Sequence, residues 1–288
     1  MTATRSMHSI ARVLLLVCAL GSPAAGFVCE RTDSGACQHW AEGGTLLSSV
    51  LGSAGGQLIN GTLTWDQNAI AAANRWNAAG AAFRFDVRVG GQTSNACACP
   101  GTSGENPVMF SNTPCGGGFG DIVAATSTCF SVQSGALINS TVVINASVPW
   151  NAYDGGLRPP LNDISRVLVH EFGHVLGLAH PDDNGQNVVA IMNRRESNVF
   201  QLTADDIAGI FSIYPSMPGS SSSGSGSSGT SGCHITPDGA GGGWIWTSVA
   251  SGLLLACARR RNPYARRHPA RMVRAQCLRR TLVGARAE

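Results

Sequence analysis

No lysine occurs in the 288 residues; all 20 basic residues are arginine. Ten of them fall after residue 258, and between Phe27 and Gly243 eight arginines stand against 16 acidic residues, a formal charge of −8. The overall +3 therefore hides an acidic body and a basic end. Aromatic residues are scarce at 6%, and Tyr264 is the one aromatic among the terminal arginines. A basic segment that follows an apolar stretch with almost no interleaved aromatics, attached to an acidic body, gives no sign of a nucleic-acid surface. Near the N-terminus there is no long apolar run: VLLLVCAL at 13–20 is too short to span a bilayer. Arg5 and Arg12 stand before or at its start, and Ala24, Ala25 and Gly26 follow. Residues 1–26 thus read as a secretory signal peptide cut before Phe27 or nearby, so the mature chain is expected outside the cytoplasm. A lipoprotein reading through Cys18 is disfavoured by the bulky Val17 before it.

What is present is concentrated in HEFGHVLGLAH at 170–180. His170 and His174 are four apart, which on a helix places them on one face, one turn above the other. Gly177 can take the left-handed conformation that ends a helix, and the turn would bring His180 back to the other two. Three neutral imidazoles at about 2.0–2.1 Å from an ion, with a fourth position left for water, describe a catalytic zinc site. Bound to such an ion, water has a pKa of roughly 7. Glu171 sits beside the first histidine, placed to take that water's proton as a general base. The competing reading is a helix that carries histidines by chance, which the Gly177 and His180 extension makes hard to sustain.

Along the chain, 27–60 is a short N-terminal segment rich in Gly and Ser with little periodicity. TLTW at 62–65 reads as a short strand, and 66–79 as a helix capped by Asp66. AFRFDVRV at 82–89 alternates as a half-buried strand does. Residues 90–121, rich in Gly, Asn, Pro and Cys, read as a long stapled loop, followed by strands at 122–132 and 140–146. Asp163 or Asn162 caps the helix that carries His170 and His174, and its broad apolar stripe requires burial. The last helix spans 203–213, with Thr203 as cap and Pro215 beyond its end. Six cysteines lie between signal and linker, and outside the cytoplasm they are expected to be disulfides. The expected pattern is a Cys29–Cys37 loop and two bridges among Cys97, Cys99, Cys115 and Cys129; Cys97 and Cys99 are too close to bridge each other easily. Asp182, Asp183, Asn184 and Gly185 offer oxygens to a possible Ca2+, although a solvated acidic turn explains them as well.

The 170–180 stretch resembles the metzincin zinc endopeptidases. Residues 60–215 resemble the matrixin branch, secreted bacterial type, through the Trp65 strand, INSTVVIN before Trp150, LNDISRVLVHEFGHVLGLAH and LTADDIAGIFSIYP. The resemblance implies an α+β zincin-like domain at 61–215: a twisted mixed sheet, mostly parallel with one antiparallel edge strand, an active-site helix behind it and a C-terminal helix. It implies His170, His174 and His180 as ligands of one Zn2+, Glu171 as the catalytic residue, and Met192 in a tight turn beneath the metal. It further implies that Asp205 and Asp206 anchor backbone near that turn, and that a protein or peptide substrate pairs with the edge strand. The chain departs from the family in Pro181 after the third histidine. His39 and His234 are the only other ectodomain histidines, too few for the second zinc of vertebrate relatives. Few residues separate the signal from the domain, which leaves latency unexplained. Cys115 in TPCGGGFGD is similar to the pro-segment motif that blocks the zinc, but lies inside the domain, where a disulfide is expected.

A Gly/Ser linker, flexible by composition, occupies 216–232. Residues 233–267, with Cys233, an apolar run at 241–258 and arginines at 259–261, resemble a Myxo-type sorting tail. The apolar run with its arginine flank suits a membrane segment at 241–258, the alternative being an interfacial or buried segment. The resemblance implies a sorting protease as partner and anchoring at the cell surface. Residues 268–288 form a basic extension not usual in such tails. The expectation is a secreted, surface-anchored zinc endopeptidase; the alternative is a non-catalytic, metal-stabilised adhesion or structural module.

Overall fold

The computed structural model describes residues 26–93, 96–99, 105–216 and 275–283. The signal peptide up to residue 25, most of the Gly/Ser linker, Cys233 and the apolar run at 241–258 lie outside the described residues. Among those described, no helix is long and apolar enough to cross a membrane.

In chain order the elements are β1 (Val28–Cys29), β2 (His39–Trp40), β3 (Gly44–Ser49), α1 (Trp65–Ala78), β4 (Arg84–Val89), β5 (Asn106–Ser111), β6 (Ile122–Ser131) and β7 (Ala136–Asn145). They continue with β8 (Trp150–Asn151), β9 (Asn162–Asp163), α2 (Ile164–Leu176), β10 (Leu178–Ala179), α3 (Ala204–Ile213) and β11 (Ala275–Val283). The main sheet runs β11-β6-β7-β5-β3-β4, with β2 also on β7. β7, β5, β3 and β4 are mutually parallel; β6 is antiparallel to β7, and β11 is antiparallel to β6.

Parallel neighbours need a crossover, and α1 supplies it between β3 and β4. It packs on α2 through Ala69, Ala72, Ala73 and Trp76, whose indole N–H donates to Val169 O at 2.8 Å. Small residues on α1 let the two helix backbones approach, while Phe85, Val108, Val142 and Ile144 cover α2 from the sheet side.

Three expectations from the sequence are corrected here. Trp65 does not lie in a strand: it opens α1, whose cap is Thr64 in a reciprocal capping box with Gln67. Asp66 instead accepts from Ser49 Oγ and from the Leu51 and Gly52 amides, tying the end of β3 to the helix. The 27–60 and 90–121 stretches, read as irregular, supply the parallel strands β3 and β5. Strands shared between two parallel neighbours carry no clean alternation, which is why the period-two test missed them. The basic extension contributes β11.

Candidate metal centre

Every residue of α2 is buried. Its start is held by Asp163, whose side chain accepts from Ser165 N at 3.1 Å. A helix end buried this deeply leaves carbonyls that water cannot reach. Val175 O accepts from the Trp40 indole at 2.8 Å, and Leu176 O from the Tyr214 hydroxyl at 2.9 Å. Gly177 then takes φ +97°, and a Cβ there would meet Gln38 O at 2.3 Å. Only glycine permits both the left-handed turn and that close approach. β10 follows, pairs with β1, and carries the chain to His180.

The turn brings three ring nitrogens together. Nε2 of His170 lies 3.0 Å from that of His174 and 3.2 Å from that of His180, and the last two are 3.0 Å apart. The opposite nitrogens are all engaged: His170 Nδ1 with Ile191 O at 2.7 Å, His174 Nδ1 with Leu178 O at 2.8 Å, and His180 Nδ1 with Asp183 Oδ2 at 2.9 Å. Since a carbonyl or carboxylate oxygen only accepts, each Nδ1 carries the proton. In the neutral rings each Nε2 then presents a lone pair to the other two. Three facing lone pairs at about van der Waals distance repel one another unless a cation sits among them, and this donor set suits zinc. Burial keeps the rings neutral. It pushes His170 down to about 3, with His180 adding to the effect. His174 and His180 are lowered for the same first reason, the Asp183 carboxylate opposing it at His180.

Glu171 is fully buried, and its pKa is pushed up to about 8 by burial, against the hydrogen bond from Thr126 Oγ1 to Oε2. Its Oε1 is buried without a hydrogen-bond partner. Met192 is buried against α2 in such a way that a Cβ on Gly173 would meet its sulfur at 2.1 Å. Asp206 holds this turn, accepting from the amides of Ile191 at 3.0 Å and Met192 at 3.2 Å while closing the α3 capping box with Thr203. Asp205 accepts from Gly26 N at 2.7 Å.

The structure also brings in residues that sequence reasoning passed over. Thr126, on β6, reaches Glu171 across 45 positions, and no local pattern marks it. Asp183, read only as a calcium candidate or a solvated turn, orients His180 and also meets Arg194; Asp182 accepts from Arg194 N. Arg166 is buried and donates to Val199 O and Gly155 O, which ties the segment after Met192 to α2. The disulfides are Cys29–Cys37, Cys97–Cys115 and Cys99–Cys129. Cys115 is thus committed to Cys97 and has no thiolate to offer a metal.

Comparison with known proteins adds to this geometry. The family model described as Matrixin matches residues 66–215. Matrix metalloproteinase-16 of Homo sapiens is 38% identical over 66 residues, 23% of this chain and 10% of that protein. Neutrophil collagenase of Homo sapiens is 48% identical over 48 residues, 17% of this chain and 10% of that protein. Macrophage metalloelastase of Oryctolagus cuniculus is 46% identical over 48 residues, again 17% and 10%. The chain thus aligns with about a tenth of the length of these curated relatives.

Proposed function

The chain belongs to the matrixin family, and from that premise we propose that it is a zinc-dependent endopeptidase acting on extended peptide segments. His170, His174 and His180 hold the zinc, and Glu171 is the catalytic base. The observation that carries this reading is the set of three Nε2 atoms facing one another with every Nδ1 already engaged. A zinc ion held there supplies Lewis acidity toward a carbonyl and a water acidic enough to react at neutral pH.

The remaining work falls to the chain. Thr126 fixes one oxygen of Glu171 and leaves Oε1 for the attacking water. Buried beside the ligand histidines, Glu171 is placed to take a proton from that water and pass it to the leaving amine. Met192 and Gly173 pack beneath the ligand helix, and Asp206 keeps the methionine turn in register. A substrate strand would take the edge of β6 that β11 occupies in this structure. Secretion is proposed with this function, since three disulfides suit an oxidising compartment. Anchoring through a sorting tail at 233–267 is proposed from the sequence pattern. The adhesion-module alternative leaves a buried catalytic-type carboxylate beside the metal without a purpose.

The test is Glu171→Ala in the purified chain. It should keep one zinc per chain and lose about 10²–10⁴-fold in peptide hydrolysis. A variant that binds zinc and cuts casein at the original rate removes Glu171 from the role.

A further inference from the structure

We propose that residues 275–283 of this same chain are a resident ligand of the substrate groove, a strand that an external peptide must displace. β11 lies antiparallel on β6 over nearly its whole length, from Ala275 opposite Ser131 to Val283 opposite Ile122. Its far end is gripped from the other side as well. Val283 N donates to Arg194 O at 3.0 Å, Glu196 N donates to Val283 O at 3.2 Å, and Val283 bridges Arg195 in parallel. One strand therefore spans from the edge of the sheet to the segment that follows the Met192 turn. An extended peptide bound by strand addition would use these backbone groups.

The side chains fit the groove in the manner of a ligand. Leu282, 1% exposed, lines a small pocket together with Arg166, His170, Ile191, Glu196 and Val199. Its neighbourhood thus includes a ring of the metal centre. Two residues earlier, Arg280 donates to Glu30 Oε2, and Glu30 is itself 3% exposed. Arg280 is the only side chain described as bonding that carboxylate, and a buried carboxylate without a counter-charge is strongly disfavoured. Arg279 donates to the carbonyls of Cys115 and Gly116. The groove thus selects a basic pair followed, after one residue, by an aliphatic side chain, and the chain's own Arg279-Arg280-Thr281-Leu282 supplies it.

The docking stands on these contacts alone; its consequence for catalysis rests on the peptidase reading above. A strand held in the groove competes with substrate, so it raises the apparent KM and leaves kcat unchanged. This is a source of latency that needs no pro-segment. It also requires residues 275–283 on the same side of any membrane as the metal centre. A span at 241–258 with its arginines kept on the far side withdraws the strand, so anchoring and a covered groove exclude one another in one molecule.

The experiment uses the full chain as wild type, Leu282→Asp and Arg280→Glu. Hydrogen exchange is followed along β6 and at 194–196 in the metal-free protein. Hydrolysis of a quenched-fluorescent peptide bearing leucine after the cut is followed with zinc. Both variants should speed exchange of the β6 amides that face β11, and lower KM by about tenfold with kcat unchanged. Exchange along β6 that is equally fast in wild type and variants overturns the proposal. Accelerated exchange with no hydrolysis by any of the three proteins sustains the docking and overturns the peptidase reading instead.

Discussion

Asp183 shows how much a single carboxylate can decide. It contributes no metal ligand of its own, yet it accepts from His180 Nδ1 and so fixes which nitrogen of that ring is free. Of the three histidines, His180 alone depends on a side chain for this; His170 and His174 use backbone carbonyls that no substitution removes. Asp183→Ala should therefore weaken zinc binding by about 10–100-fold while the fold survives. Competition with a chromophoric chelator measures it, and wild-type affinity would leave Asp183 as an ordinary surface partner of Arg194. Gly173 is a residue of the same kind seen from the packing side: any side chain there would displace the Met192 sulfur.

Helix α2 and the bend after it form one device. The helix supplies two imidazoles by its own periodicity, and the third arrives only because Gly177 reverses the chain at φ +97° against Gln38. Gly177→Ala should cost about 1–2 kcal/mol from the left-handed backbone alone, with a further penalty because Gln38 O must give way. Urea denaturation reads the loss of stability. Zinc stoichiometry below one in the folded fraction would show that the bend, not the helix, positions His180. Full stability and full zinc binding in this variant would contradict the argument. The neighbouring Trp40 and Tyr214 bonds to Val175 O and Leu176 O explain how the helix can end inside the protein.

For the molecule as a whole, burying three imidazoles makes stability pH-dependent. The His170 pKa falls from 6.5 to about 3 on folding, and His174 and His180 move in the same direction. The unfolded chain then binds more protons than the folded one between those values, so the slope of stability against pH is positive there. This contribution is complete above about pH 6.5 and is lost as the pH falls toward 3. Calorimetry of the metal-free chain should find a thermal midpoint that drops through this window, and His170→Asn should flatten the drop. Equal slopes for the two proteins would mean that the ring is not held neutral by the fold.

The amino-acid order alone determined the metal centre, because its spacing is local. Four residues make one helical turn, and a glycine three before His180 makes the bend, so the three ligands are marked within eleven residues. The alternating strand at 82–89, which forms β4 over Arg84–Val89, the Thr203 cap and the Cys29–Cys37 loop were legible for the same reason. Tertiary structure decided the rest, because those contacts join positions far apart. β3 and β5 became strands only between parallel neighbours, Thr126 met Glu171 only across the sheet, and Asp183 gained its meaning from the ring it faces. The basic extension was legible as charge and nothing more. What makes it a strand is the edge of β6 opposite β7 and a buried glutamate at residue 30, neither of which has any trace near residue 280.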